Sequence, residues 1–369
     1  MAETILWLLS FKKREKRRVV EKKFIFKDNA FDLIRYWAAI TVMLGHFVWK
    51  TAPYVKDNML LNIISRVSMF FPGVVILFSM SGFLVSASIE RSKNKKEFFA
   101  KRVLRMYPEL WVCTIVNFLI VCLLAYKLLD KSIFVWILTQ IFGIAYTPSC
   151  LKDFATGSVN GALWTIFTEL QLYIILGIVY NWIKKFDTKK WIVLLGFLAA
   201  CNVLADFVSS SSDGVVAKII ERFFLTYALW FFIGVFCYVK RERMISLLKK
   251  MVVPLLFLYV IWKLLPIDIP GYYSNIAVGI LLPLIVIGGG YSLPPIRISC
   301  DLTYEIFLYH WIALNIIIYF DLINKLPWGV CLIVFIGATF IFAWFSWHFV
   351  GRGRYRRTGC QVLGRKNKS

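Results

Sequence analysis

The chain has 369 residues, 59% of them hydrophobic and 17% aromatic, with a formal net charge of +23. A soluble fold of this length could not hide so much apolar mass, so the composition excludes a soluble enzyme and indicates a polytopic membrane protein. The positive charge does not point to nucleic acid, because the basic residues fall in short clusters between apolar segments, where membrane-orientation signals belong.

In chain order, residues 1–30 form a basic N-terminal segment. A short apolar patch, ILWLLSF, precedes FKKREKRRVVEKK (11–23) with its eight Lys or Arg, and no small-residue cleavage site follows. A cleavable signal peptide is therefore not expected. Apolar spans are expected over about 31–49, 70–89, 109–126, 162–183, 190–207, 219–239, 251–266, 273–290, 300–320 and 328–350, ten in all. The run 133–146 (IFVWILTQIFGIAY) is short for a span and is expected to be re-entrant or interfacial. The fold class is thus an all-α, polytopic transmembrane helical bundle with a membrane domain over 31–350 and a basic tail over 351–369.

Charge orients these spans. The loops 91–105 (RSKNKKEFFAKRVLR), 183–190 (IKKFDTKK) and 240–250 (KRERMISLLKK) are basic, whereas 206–214, 263–271 and 321–325 are poorer in cations. Together with the seven Lys or Arg after residue 351, this alternation predicts that both termini are cytoplasmic. Eight cysteines are scattered without any CxxC spacing, so neither a metal site nor a disulfide framework is expected.

Ionisable residues within the spans need a reason, since each costs roughly 2.5–3.5 kcal/mol at mid-membrane on insertion scales. FDLIRYWAAITVMLGHF (31–47) places Arg35 and His46 eleven residues apart. At 100° per residue they lie on one helix face, about 16 Å from each other. Glu169 lies in the fourth span, and Glu305 and His310 in the ninth. Singly, Arg35 reads equally as an interface anchor, His46 as a histidine satisfied by a hydroxyl, and Glu169 as half of a structural ion pair. Together they suggest a polar path with a cation near its inner end and a general base, His46, near its outer end.

These residues sit in motifs that resemble the acyltransferase-3 family of integral membrane O-acyltransferases. Asp32, Arg35 and His46 are similar to its first helix, and VILFSMSGFLVS (75–86), with Ser81, Gly82 and Phe83, to its second. FFAKRVLRMYPELW (98–111) resembles the segment with Arg102, Arg105, Tyr107 and Pro108; LWTIFTELQLY (163–173) carries Trp164 and Glu169, and LTYEIFLYHW (302–311) carries Tyr304 and His310. The family's late aromatic run followed by Glu and Pro is altered here to FSWHFVGRGRYRR (345–357), so His348 is not carried over.

The resemblance implies transfer of an acyl group, commonly acetyl, from cytoplasmic acyl-CoA to a hydroxyl of an extracytoplasmic polysaccharide or glycolipid, in a bacterial inner or plasma membrane. His46, Glu169 and Arg35 are the expected catalytic residues. Arg35, Arg102, Arg105, Lys101 and Ser81 are expected along the donor path, the guanidinium forks suiting phosphates. Trp164, Tyr304 and His310 are expected on the acceptor side, and no metal is expected. An exporter of a small anion or lipid-linked sugar, using the same buried groups, is the rival reading. The Arg102-x-x-Arg105 pair followed by Tyr107-Pro108, for which a carrier has no evident need, favours the enzyme.

Overall fold

The computed structural model describes residues 29–351 except Asp57, Asp213, Asp268, Arg297 and Ser299. Apart from residues 29, 30 and 351, the basic segments expected at the two ends lie outside the described residues. Among the described residues every regular element is a helix. The principal ones are α1 (Phe31–Thr51), α2 (Met59–Phe70), α3 (Gly73–Arg91), α4 (Lys95–Ala125), α5 (Ser132–Ile141), α6 (Leu163–Ile183) and α7 (Thr188–Ser210). They continue with α8 (Val215–Arg222), α9 (Phe224–Val239), α10 (Arg241–Leu264), α11 (Ile276–Ser292), α12 (Thr303–Tyr319) and α13 (Trp328–Ser346).

Eight helical stretches are long and apolar enough to cross a membrane; α11 and α12, with 17 residues each, are shorter and lie inside the bundle. With those two, helices stand at the places of all ten expected spans. The 133–146 run is the ten-residue helix α5, about 15 Å long and too short to cross. It packs through Ile133 and Trp136 onto Val121 and Ala125 at the end of α4.

The structure departs from the expected boundaries in ways that local chemistry explains. The basic stretch before the third span is not a loop: α4 runs unbroken for 31 residues from Lys95. Asn94 caps it by accepting from the Glu97 amide at 2.8 Å, while the Glu97 carboxylate accepts from the Lys93 amide at 2.6 Å. The basic 240–250 stretch is likewise the opening of α10. Conversely, Met59–Phe70 forms a helix where none was expected, and it ends because Pro72 has no amide to donate and holds Phe71 out of the helical region (ψ 79°).

The core is built around α9, which is buried on every side from Thr226 to Val235. It meets α3 at two reciprocal close approaches. A Cβ added at Gly82 would strike the Phe231 carbonyl, and one at Gly234 the Ser79 carbonyl. Small residues on both helices allow the backbones to meet. By contrast α7 and α10 turn side chains such as Val193 and Phe257 outward, as helices at a lipid boundary do. The last frame element is the pair α1 and α12. Arg35 meets Asp301 and His46 meets His310, in the same order along both segments, so the two helices run parallel.

Candidate functional site

One end of the bundle is organised by Arg35. Its guanidinium donates to Asp301 Oδ2 at 2.7 Å, and Asp32, one turn back, lies 3.6 Å away. Asp301 precedes α12 and accepts from the Thr303 amide and hydroxyl at 3.2 and 2.6 Å. Next along α1, Tyr36 donates its hydroxyl to the Cys300 carbonyl at 2.5 Å and accepts from the Leu302 amide at 2.8 Å. The start of α12 is thereby fastened to α1.

Arg105 stands beside this pair. It is exposed by surface area, yet Asp301, Tyr173, Glu169 and Glu305 are all near enough to act on its charge. Arg102 donates to the Ser88 hydroxyl at 3.0 Å and lies 5.7 Å from the Tyr173 ring. Lys101 points elsewhere, into an ion pair with Glu97 at 2.8 Å.

Midway, α3 and α6 are joined by a half-buried polar cluster. Ser81 donates to Glu169 Oε1 at 2.5 Å, Tyr173 donates to the same oxygen, and the two hydroxyls lie 3.1 Å apart. Glu169 and Tyr173 are one turn apart on α6, the spacing that lets side chains meet on a helix face. Tyr304 crosses from α12 to donate to the Met106 carbonyl of α4 at 3.0 Å.

The opposite end is organised by His46. Its Nδ1 lies 2.8 Å from His310 Nε2, with the rings 11° from parallel and their centroids 5.1 Å apart. His310 Nδ1 in turn lies 3.1 Å from the Ile306 carbonyl. His310 is fully buried, whereas His46 keeps accessible surface. Trp311 stands edge-on to His46 at 5.0 Å.

A loop between α5 and α6 is strapped over this end. Trp311 Nε1 donates to the Ser158 carbonyl at 3.0 Å, and Asn315 Nδ2 donates to the Ser158 and Val159 carbonyls, each at 3.0 Å. Lys50, one turn beyond His46, donates to the Thr156 carbonyl at 3.2 Å and lies 4.2 Å from the Trp49 ring. Trp164 sits in an aromatic group, with Tyr227 at 5.0 Å and Tyr273 at 6.2 Å.

The expected residues therefore fall into three groups: Arg35, Arg102 and Arg105 toward one end of the bundle, Ser81 with Glu169 midway, and His46 with His310 at the other. Glu169, expected among the catalytic residues, has Ser81 and Tyr173 as its hydrogen-bond partners, and the neighbour of His46 is His310. Lys101 is paired with Glu97 instead. The sequence reading missed Asp301, because a carboxylate beside a span start reads as an ordinary loop residue, and Tyr173, one aromatic among many. The i+4 spacing of Tyr173 from Glu169 was the available signal.

An all-helical membrane bundle with charged groups strung along its interior defines the class, and the comparison with known proteins specifies it. Residues 28–348 match the acyltransferase-3 family, described as an acyltransferase domain, and the chain belongs to that family. This places it among membrane acyltransferases. Over 245 residues it is 26% identical to an O-acetyl transferase of Shigella phage Sf6, covering 63% of this chain and 69% of that one. Over 160 residues it is 32% identical to nodulation protein 10 of Rhizobium leguminosarum bv. viciae, covering 40% of this chain and 43% of the relative, so the match spans less than half of that protein. No solved structure matches.

Proposed function

We propose that the chain is an O-acyltransferase that moves an acetyl group from acyl-CoA at the Arg35 end to a hydroxyl of a glycan or glycolipid at the His46 end. The observation that carries this reading is the separation of roles along α1: a guanidinium at one end, and at the other an accessible imidazole held by a buried one. The name of the phage relative supports acetyl as the group transferred. In this reading the Arg35 end faces the cytoplasm, both termini lie there, and the bilayer is a bacterial inner or plasma membrane, in keeping with the basic clusters.

The chemistry follows from the parts. Arg102 and Arg105 receive the phosphates of the donor, for which guanidinium forks are suited. Arg35, with its charge shared with Asp301, fixes the mouth of the path. Ser81 and Glu169 line the passage for the pantetheine arm, and Trp164 offers the acceptor an aromatic face. His46 takes the proton of the acceptor hydroxyl as that oxygen attacks the thioester carbonyl. The C–S bond then breaks, and the proton passes from His46 to the departing thiolate, leaving ester and free CoA. A positioned base of this kind contributes roughly 10²- to 10⁴-fold.

Mass spectrometry of the producing cell's surface glycans tests the reading, comparing wild type, a deletion, and the deletion complemented with wild type or His46→Ala at matched membrane levels. The expected result is an acyl mass increment that disappears in the deletion and returns only with wild type. Unchanged glycans in the deletion would remove the glycan acyltransferase reading and favour export of a small anion.

A further inference from the structure

The hydrogen bonds around the two histidines determine where their protons sit. A carbonyl oxygen only accepts, so His310 Nδ1, 3.1 Å from the Ile306 carbonyl, carries a hydrogen. A neutral imidazole has one N–H, which leaves His310 Nε2 bare. That bare nitrogen is 2.8 Å from His46 Nδ1, so His46 Nδ1 must be the donor, and the lone pair of His46 lies on Nε2.

The alternative is a doubly protonated His310 donating to His46. It would bury a cation with no accessible surface, whose ring neighbours are Phe307, Trp311 and His46. No acidic partner of His310 is present among the described residues, and an unpaired buried charge of this kind is strongly disfavoured. The charged group one turn beyond His46 on α1 is Lys50, itself a cation.

We infer that His310 is a positioning residue that locks His46 in the Nδ1–H tautomer and presents its Nε2 lone pair to the acceptor hydroxyl. This inference rests on the reading of His46 as the base. It assigns to an imidazole the orienting role that a carboxylate fills in other catalytic histidine pairs. The difference has a chemical consequence. When His46 becomes an imidazolium, it is stabilised through its Nδ1–H by a neutral lone pair, with no anion brought into the apolar interior. Burial of His310 and access to His46 divide the roles as the chemistry requires: one ring meets substrate, and the other never does.

The chain has only three histidines, His46, His310 and His348, which makes the tautomer directly observable. The full chain, labelled with ¹⁵N-histidine and held in detergent micelles, gives three imidazole rings, assigned with His348→Phe, His310→Phe and His310→Gln. The expected spectrum has His46 protonated at Nδ1 and bare at Nε2, and this pattern is lost in His310→Phe. A glutamine carbonyl can accept from His46 Nδ1, so His310→Gln is expected to keep the tautomer.

In the glycan ester assay at matched membrane levels, His310→Gln is expected to retain activity within roughly fivefold of wild type. His310→Phe, of similar bulk, should fall on the order of a hundredfold. A wild-type His46 carrying its proton on Nε2, or equal ester loss in both His310 variants with the tautomer unchanged, overturns the positioning role. Full ester with His46→Ala overturns the base itself, a separate result that leaves the spectrum to speak for the tautomer alone.

Discussion

Replacing Gly82 with alanine is the sharpest test of how the frame is packed, because two effects of known size oppose each other. In a helix interior alanine is favoured over glycine by about 1 kcal/mol. Against this, the new methyl at Gly82 would strike the Phe231 carbonyl and lie 3.2 Å from Phe231 Cα. The obstructing atoms are backbone of α9, so no rotamer change relieves them and the two helices must part. Overpacking of this kind costs roughly 1–3 kcal/mol, and here it also loosens the facing core side chains Phe83 and Phe231. The upper part of that range applies, which leaves a net loss of about 2 kcal/mol.

Gly196→Ala provides the opposite expectation, since nothing lies within 4 Å of the added Cβ. It should be neutral, or stabilising by up to about 1 kcal/mol. Heating purified protein in detergent and measuring the surviving monodisperse fraction should give Gly82→Ala a midpoint several degrees below wild type, and Gly196→Ala one at or above it. A Gly82→Ala protein that melts with or above wild type would refute the close-approach argument.

Arg102→Gln should raise the apparent KM for acetyl-CoA about tenfold or more in membrane preparations, whereas Lys101→Gln, whose ammonium is committed to Glu97, should change it less than twofold. Asp301→Asn removes the carboxylate that accepts from the Arg35 guanidinium at 2.7 Å and should lower the melting midpoint in detergent by several degrees. Asn315→Leu removes the donor to the Val159 carbonyl and the acceptor of the Thr156 hydroxyl, while Ser158 keeps Trp311 Nε1; it should cost about 1–3 kcal/mol, read as earlier proteolysis of the 147–161 loop.

The helices and the polar residues on them were legible because each depends on local pattern. Apolar runs gave the spans, and the eleven-residue interval in α1 placed Arg35 and His46 on one face before any partner was known. The partners themselves were not legible. His310 is 264 residues from His46, and nothing in the local sequence separates a histidine that meets another histidine from one that meets a carboxylate. The partner of Glu169 was open for the same reason, and its bonds to Ser81 and Tyr173 come from the packing of α3 on α6. Boundaries failed where charge was read as loop. The Lys and Arg of 95–105 are good helix formers, and with Asn94 as cap they extend α4 well beyond the apolar part.

The parallel pair α1 and α12 is bolted at two levels, by Arg35 to Asp301 and by His46 to His310. Such a pair is a strut. A carrier that alternates its openings must let one set of helices rock against another around a fixed site, and a strut fastened at both levels resists that motion at the place where it would be needed. On the proposed reading the donor and acceptor ends then keep a constant separation, and the span between them is covered by the substrate's own length and flexibility. On such a frame the moving part is the ligand, and the protein serves as the gauge that fixes how long its reach must be.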